Sequence, residues 1–302
     1  MNRIVGLVVG LVLVAPLGAE DQHGSVPLRP LEPFEAKDQP TPVVVGDRTW
    51  HMPWGYDKPE NSERMYPLVV FGRHNEASEF FTIDIRKRYP AFYVSYIESS
   101  EEAGAALSDL IDVCMKDHHF RIDTRRIYLT GWSAGGSGSF KLVRGFLSKG
   151  KYFAAINRIA GQSESILAEQ AVEKTAIWVH IGLLDTPLRV QVSRDLYAHL
   201  KNHPSNVSAV ETTVDDTIRH GDVDVARHTR ILTKDGVEIV RYTEYPTEPH
   251  AAFAGYSDPY LYEWLFTRTI CPEKRPSDST IVKSVGSIPD SPDQSRLDPA
   301  KP

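Results

Sequence analysis

Cysteine is almost absent: Cys114 and Cys271 are the only two in 302 residues, so a disulfide framework does not hold this chain together. No C-x-x-C pair and no H-E-x-x-H spacing occurs, which removes the common frameworks for zinc. The cluster Asp215, Asp216, Asp222 and Asp224 lacks the glycine and glutamate framework of a calcium loop and predicts a solvated acidic surface. No metal or cofactor is therefore expected. Lysine and arginine are outnumbered 34 to 40 by aspartate and glutamate, and they form no stripe, so no nucleic-acid partner is expected. Long apolar runs are missing too. The one near the start, residues 4–14, is too short for a comfortable membrane span.

What is present supports a single large core, with 41% hydrophobic residues, no internal repeat and no second periodic block. Asn2 and Arg3, the apolar run, then Pro16, Gly18 and Ala19 predict a secretory signal peptide over 1–19. The expected location is secreted or periplasmic, without a stable membrane anchor. Residues 20–42 are proline-rich and polar and predict an extended linker; 272–302 carry no hydrophobic pattern and predict a disordered tail. The folded domain is placed at 43–271.

Within that domain apolar strand patterns alternate with helical ones. Strands are expected at 43–45, 49–52, 66–71, 91–97, 126–130, 153–159, 176–181 and 237–245. Helices are expected where Ala103, Leu107, Leu110, Ile111 and Cys114 share a face, through Phe140, Val143 and Leu147, through Val192, Leu196 and Leu200, and over 260–269. Such alternation predicts an α/β fold with a mainly parallel central sheet, helices on both faces and no large cap domain. The 202–235 segment is longer than usual connections, and Lys234-Asp235-Gly236 reads as a hairpin turn into the last strand. That insert is expected on the edge remote from Ser133. Cys114 reads as a core thiol, and a bridge to Cys271 stays open.

The chain is organised around RIYLTGWSAGGSGSFKLVRGFL, residues 126–147. A buried strand meets a helix across Gly131-Trp132-Ser133-Ala134-Gly135, the G-x-S-x-G arrangement of a nucleophile elbow. Gly135, Gly136 and Gly138 crowd the first helical turns, where each costs about 1 kcal/mol relative to Ala. The helix is thus expected to press closely on a neighbour. Ser133 is the candidate nucleophile.

A serine hydroxyl needs a base, and the base needs an orienting group. In a parallel sheet the reactive loops gather at the carboxyl ends of the strands. Asp185 follows the 176–181 strand and His250 follows the last one. Their chain order, Ser133, Asp185, His250, is that of an α/β-hydrolase triad. His180 inside a strand, Asp195 on a helix face, and His220 and His228 in the insert fit less well.

These residues give the chain a definite likeness. With Tyr66 to Phe71, the Ile122 to Gly136 run, the Gly182 to Pro187 loop, Tyr242 to Pro246 with His250, and Glu263-Trp264-Leu265, it resembles the α/β-hydrolase superfamily. Within it, the likeness is to secreted esterases of the dienelactone-hydrolase, polyhydroxybutyrate-depolymerase and feruloyl-esterase-like group, some of them labelled predicted peptidases. The resemblance covers Thr49 to roughly Arg268 and implies an esterase fold with the same three residues. One departure stands out: the family usually has His-Gly after the strand ending at Phe71, whereas this chain reads Gly72-Arg73-His74-Asn75. The Ala134 amide is one expected oxyanion donor, and the second falls to Arg73 or His74. Trp132, Phe253 and Tyr256 are the candidates to line the cleft.

The expected activity is hydrolysis of a carboxylic ester through an acyl-serine, with an open cleft suited to an ester on a polysaccharide or other large molecule. Two alternatives stay open at this stage. The altered 72–75 loop fits a non-catalytic binding protein on the same scaffold, and the same groups acting on an amide would make a peptidase.

Overall fold

Tyr66–Phe71 buries all six of its residues and Ala155–Ile159 all five, as strands covered on both faces do. These two, β3 and β6, sit inside one ten-stranded sheet. A computed structural model describes residues 35–72, 81–95, 99–162, 171–250 and 252–270, all within the unit Met1–Cys271. The predicted signal peptide, the tail, Arg73, His74 and Cys271 lie outside the described residues.

The other strands are β1 (Val43–Val45), β2 (Arg48–His51), β4 (Phe92–Ser95), β5 (Ile122–Trp132), β7 (Ala176–Gly182), β8 (Val210–His220), β9 (Val223–Lys234) and β10 (Val237–Tyr245). Their order is β1-β2-β4-β3-β5-β6-β7-β10-β9-β8. The six from β4 to β10 run parallel, and antiparallel pairs close both ends. The mainly parallel sheet expected from the sequence is what forms.

Six helices are used below: α1 (Ile83–Arg88), α2 (Glu101–Asp117), α3 (Ala134–Ser148), α4 (Pro187–Asn202), α5 (Ala252–Ser257) and α6 (Pro259–Thr267). Strand alternation sorts them onto the two faces. On β5, Tyr128 reaches the Arg268 carbonyl after α6 and Thr130 reaches Tyr256 of α5. On the opposite face Arg158 of β6 lies over Phe140 of α3, and Tyr242 of β10 stacks on Tyr197 of α4. Ser100 caps α2 by accepting from the Ala103 amide, as its sequence suggests.

Helix α3 is pressed close, as its glycines imply. A Cβ at Gly136 would lie 2.7 Å from the Ile159 carbonyl oxygen, and one at Gly138 would lie 2.2 Å from Cβ of Ser99. Cys114 is a buried free thiol on α2. Burial pushes it up to about 12, so it stays protonated at neutral pH.

The insert departs from expectation. Its turn into β10 is indeed at the end remote from Ser133. However, residues 223–227 of β9 run on past the last β10 pair, Glu244 with His228. They carry the β8–β9 turn about 16 Å beyond that pair, at the carboxyl ends of the parallel strands. Successive antiparallel strands alternate direction, so the β8–β9 turn lies at the opposite end from the β9–β10 turn, on the carboxyl rim.

Candidate active site

Only Ser133 separates the last residue of β5 from the first of α3, and a reversal that tight fixes its backbone at φ 53° and ψ −111°. L side chains rarely adopt such a conformation, and it costs on the order of 1–3 kcal/mol. The surroundings hold it there. The Ser133 N–H donates to the Ile159 carbonyl at 2.9 Å, while its carbonyl accepts from the Ser137 amide at 2.8 Å and the Ser137 hydroxyl at 2.9 Å. Gly131 is required for the turn to close, because a Cβ there would sit 2.6 Å from the carbonyl carbon of Gly135. Ala134 opens α3, so its amide has no acceptor within the helix and lies at the positive end of the helix dipole.

Asp185 and His250 meet. Nδ1 of His250 lies 2.6 Å from Oδ2 of Asp185, whose side chain is 2% exposed while that of His250 is 30% exposed. The other carboxylate oxygen accepts from the Thr186 amide at 2.6 Å and from Nη1 of Arg189 at 3.1 Å. Burial raises this carboxyl, but the bonds from His250, Thr186 and Arg189 outweigh it and hold Asp185 below the usual carboxylate range. The two loops are joined by backbone as well: the Leu183 amide donates to the Tyr245 carbonyl at 2.9 Å and the Leu184 amide to that of Glu248 at 3.0 Å. Beside the pair, Leu184 and Leu188 stand 66% and 64% exposed.

The half-buried Trp132, next to Ser133, places its ring 5.4 Å from the His250 ring. This contact brings the histidine loop onto the elbow. Phe253 falls in α5 with its side chain outside the description. Tyr256 is 5% exposed, and its hydroxyl lies 2.8 Å from Thr130 Oγ1. Its hydroxyl thus ties α5 to β5 beneath the rim.

The less favoured histidines have other partners. Nδ1 of His180 lies 3.0 Å from the Tyr245 hydroxyl, with its ring stacked on Trp178, and burial drives its pKa well below the ordinary value. His228 pairs with Asp215 at 2.6 Å, and Nδ1 of His220 is 2.5 Å from the Ser257 hydroxyl. The last contact puts the insert against α5, which sequence reasoning missed. It also missed Arg189, although an arginine four residues after Asp185 at a helix start is a readable signal. Among the described residues no group of three or more His, Cys, Asp or Glu is placed to hold a metal ion, and no helix is long and apolar enough to cross a membrane.

No protein-family model matches the chain, and no curated protein matches it in sequence. Solved structures do. An acetyl xylan esterase from Aspergillus awamori is similar with a TM-score of 0.50 at 12% identity, over 75% of this chain and 98% of that one. A ferulic acid esterase from Anaeromyces mucronatus is similar with a TM-score of 0.46 at 13% identity, over 73% of this chain and 84% of that one. At such identity the likeness concerns architecture alone. With its parallel sheet, its serine on the turn after β5, and an acid and a histidine after β7 and β10, the chain has the α/β-hydrolase fold.

Proposed function

We propose that this protein is a secreted serine hydrolase that cleaves carboxylic esters through an acyl-Ser133 intermediate. The observation that carries the reading is the Asp185–His250 hydrogen bond, formed on the rim where the strained Ser133 turn lies. With Nδ1–H donating to Asp185, the neutral ring keeps Nε2 as its acceptor, the state a general base needs. His250 takes the Ser133 proton as Oγ adds to the ester carbonyl. The tetrahedral oxyanion is met by the Ala134 amide and by a second donor from Arg73 or His74. His250 then passes the proton to the departing alcohol, the C–O bond breaks, and the acyl group stays on Ser133. Water, deprotonated by His250, repeats the sequence and releases the carboxylic acid. Asp185 fixes the tautomer and stabilises the imidazolium. No cofactor enters this chemistry.

The predicted signal peptide supports an extracytoplasmic location. The similar fold of the acetyl xylan esterase supports an ester carried on a polysaccharide. Trp132 beside His250, and the exposed Leu184 and Leu188 that flank Asp185 in the chain, support an apolar seat for the acyl or alcohol part. The test is labelling with a fluorophosphonate and turnover of acetyl and feruloyl esters beside a lipid ester and a peptide amide. Labelling of wild type and not of Ser133→Ala is expected, with ester turnover. Equal labelling of both removes the nucleophile assignment; turnover of the amide alone makes the protein a peptidase; a folded protein without turnover favours a binding role.

A further inference from the structure

The far end of the β8–β9 hairpin takes no part in the chemistry above, yet it is fastened to the segment that carries His250. Arg227 of β9 pairs with Asp258, between α5 and α6, and their side chains are 9% and 1% exposed. Asp258 also caps α6, accepting from the Tyr260 amide at 2.9 Å. The remaining guanidinium donors of Arg227 reach both carboxylate oxygens of Asp216 on β8, at 2.6 and 3.0 Å. Ser257 meets His220, and Ile218 and Val225 of the hairpin form a small buried cluster with Tyr245 and Ala254. Tyr245 ends the strand before the His250 loop, and α5 starts two residues after His250. The hairpin therefore grips the histidine segment on both sides.

We infer that the β8–β9 hairpin is a brace that sets where His250 stands, and that Arg227, acting through Asp258, is its positioning residue. The inference rests on His250 being the general base. Two long antiparallel strands make a stiff lever, and the buried Arg227–Asp258 pair pins it where it leaves the sheet, one residue past the last β10 pair. Removing the Arg227 charge leaves Asp258 buried without its cation, and removing the Asp258 charge leaves Arg227 held by the more exposed Asp216 alone, so in either case the α5–α6 junction loses its tie to the hairpin. A displacement of about 1 Å at a base costs on the order of a hundredfold in rate.

The test compares Arg227→Met, Asp258→Asn, the double variant and Arg227→Lys with wild type, reading kcat and KM on a short aryl ester and amide hydrogen exchange in α5. Asparagine keeps the cap on Tyr260 while losing the charge. Each single variant is expected to lose about ten- to a hundredfold in kcat with KM within about threefold. The double variant should be no worse than the poorer single one, and lysine should recover part of the loss. Wild-type kcat in a folded single variant, or losses that multiply in the double, overturns the brace. If Arg227→Met does not fold, Asp258→Asn carries the comparison. Should wild type turn over no ester beyond Ser133→Ala, the reading of His250 fails instead, and exchange alone decides the brace: faster exchange in α5 of Asp258→Asn supports it, and unchanged exchange overturns it.

Discussion

Gly182, the last residue of β7, lies directly against Pro249: a Cβ at Gly182 would sit 2.0 Å from the Pro249 carbonyl oxygen and 2.3 Å from that of Glu248. Both obstacles are backbone, so neither can swing aside. Only a bare Cα lets the histidine loop rest on the aspartate loop. Gly182→Ala is expected to destabilise the fold by about 1–3 kcal/mol and to lower kcat by separating Asp185 from His250. Thermal melts and ester kinetics check both halves, and wild-type values in both would show that the loops move freely.

Asp185→Asn keeps the shape of the side chain but replaces an acceptor that faces Nδ1–H with a group able to donate. The ring can then turn to the tautomer whose proton sits on Nε2. The expected loss in kcat is about ten thousandfold, with the protein still folded. Ester kinetics with a circular-dichroism melt checks it.

Glu244 on β10 accepts from Nε of Arg194 at 2.7 Å and from the Tyr242 hydroxyl at 2.8 Å. Burial raises its pKa, and the bonds from Arg194 and Tyr242 outweigh burial, leaving the carboxyl below its ordinary value. A carboxyl lowered on folding stabilises above its unfolded pKa of about 4.3, and the gain is lost as pH falls through the lowered folded value. Glu244→Gln should therefore cost on the order of 1–3 kcal/mol at pH 7. The gap from wild type should shrink below about pH 4. Urea melts across that range check the sign.

Arg158 on β6 is fully buried, and among the described residues none of its guanidinium nitrogens has a hydrogen-bond partner. Burial pushes it down to about 10. A buried cation with an aromatic ring but no hydrogen-bond acceptor beside it among the described residues works against folding, so Arg158→Met is expected to stabilise by about 1–4 kcal/mol. A lower melting temperature for the variant would show that the charge is compensated after all.

The sheet and the elbow were legible because both are written locally. The apolar run Tyr66 to Phe71 and the alternation of strand and helix signals needed no long-range information, and neither did Gly131-Trp132-Ser133-Ala134-Gly135. Asp185 and His250 were legible through chain order, since the ends of successive parallel strands must share a rim. The hairpin's reach was not. Nothing in the sequence 210–234 sets how far two strands outrun a third, and the Arg227–Asp258 contact joins residues whose elements meet only through that overrun. Helix α5 was also missed, being six residues long and held by contacts from outside itself.

The strand order has a consequence for how the protein is made. Among the described residues β10 is the last strand to leave the ribosome, yet it inserts between β7 and β9. Until it arrives, a nascent or truncated chain presents two bare strand edges, which are templates for pairing with other chains. A product ending before residue 237 would carry an intact elbow with no imidazole to serve it, and would be prone to aggregate. Assembly of the sheet and arrival of the base are thus one event, completed once residues 237–250 have been made.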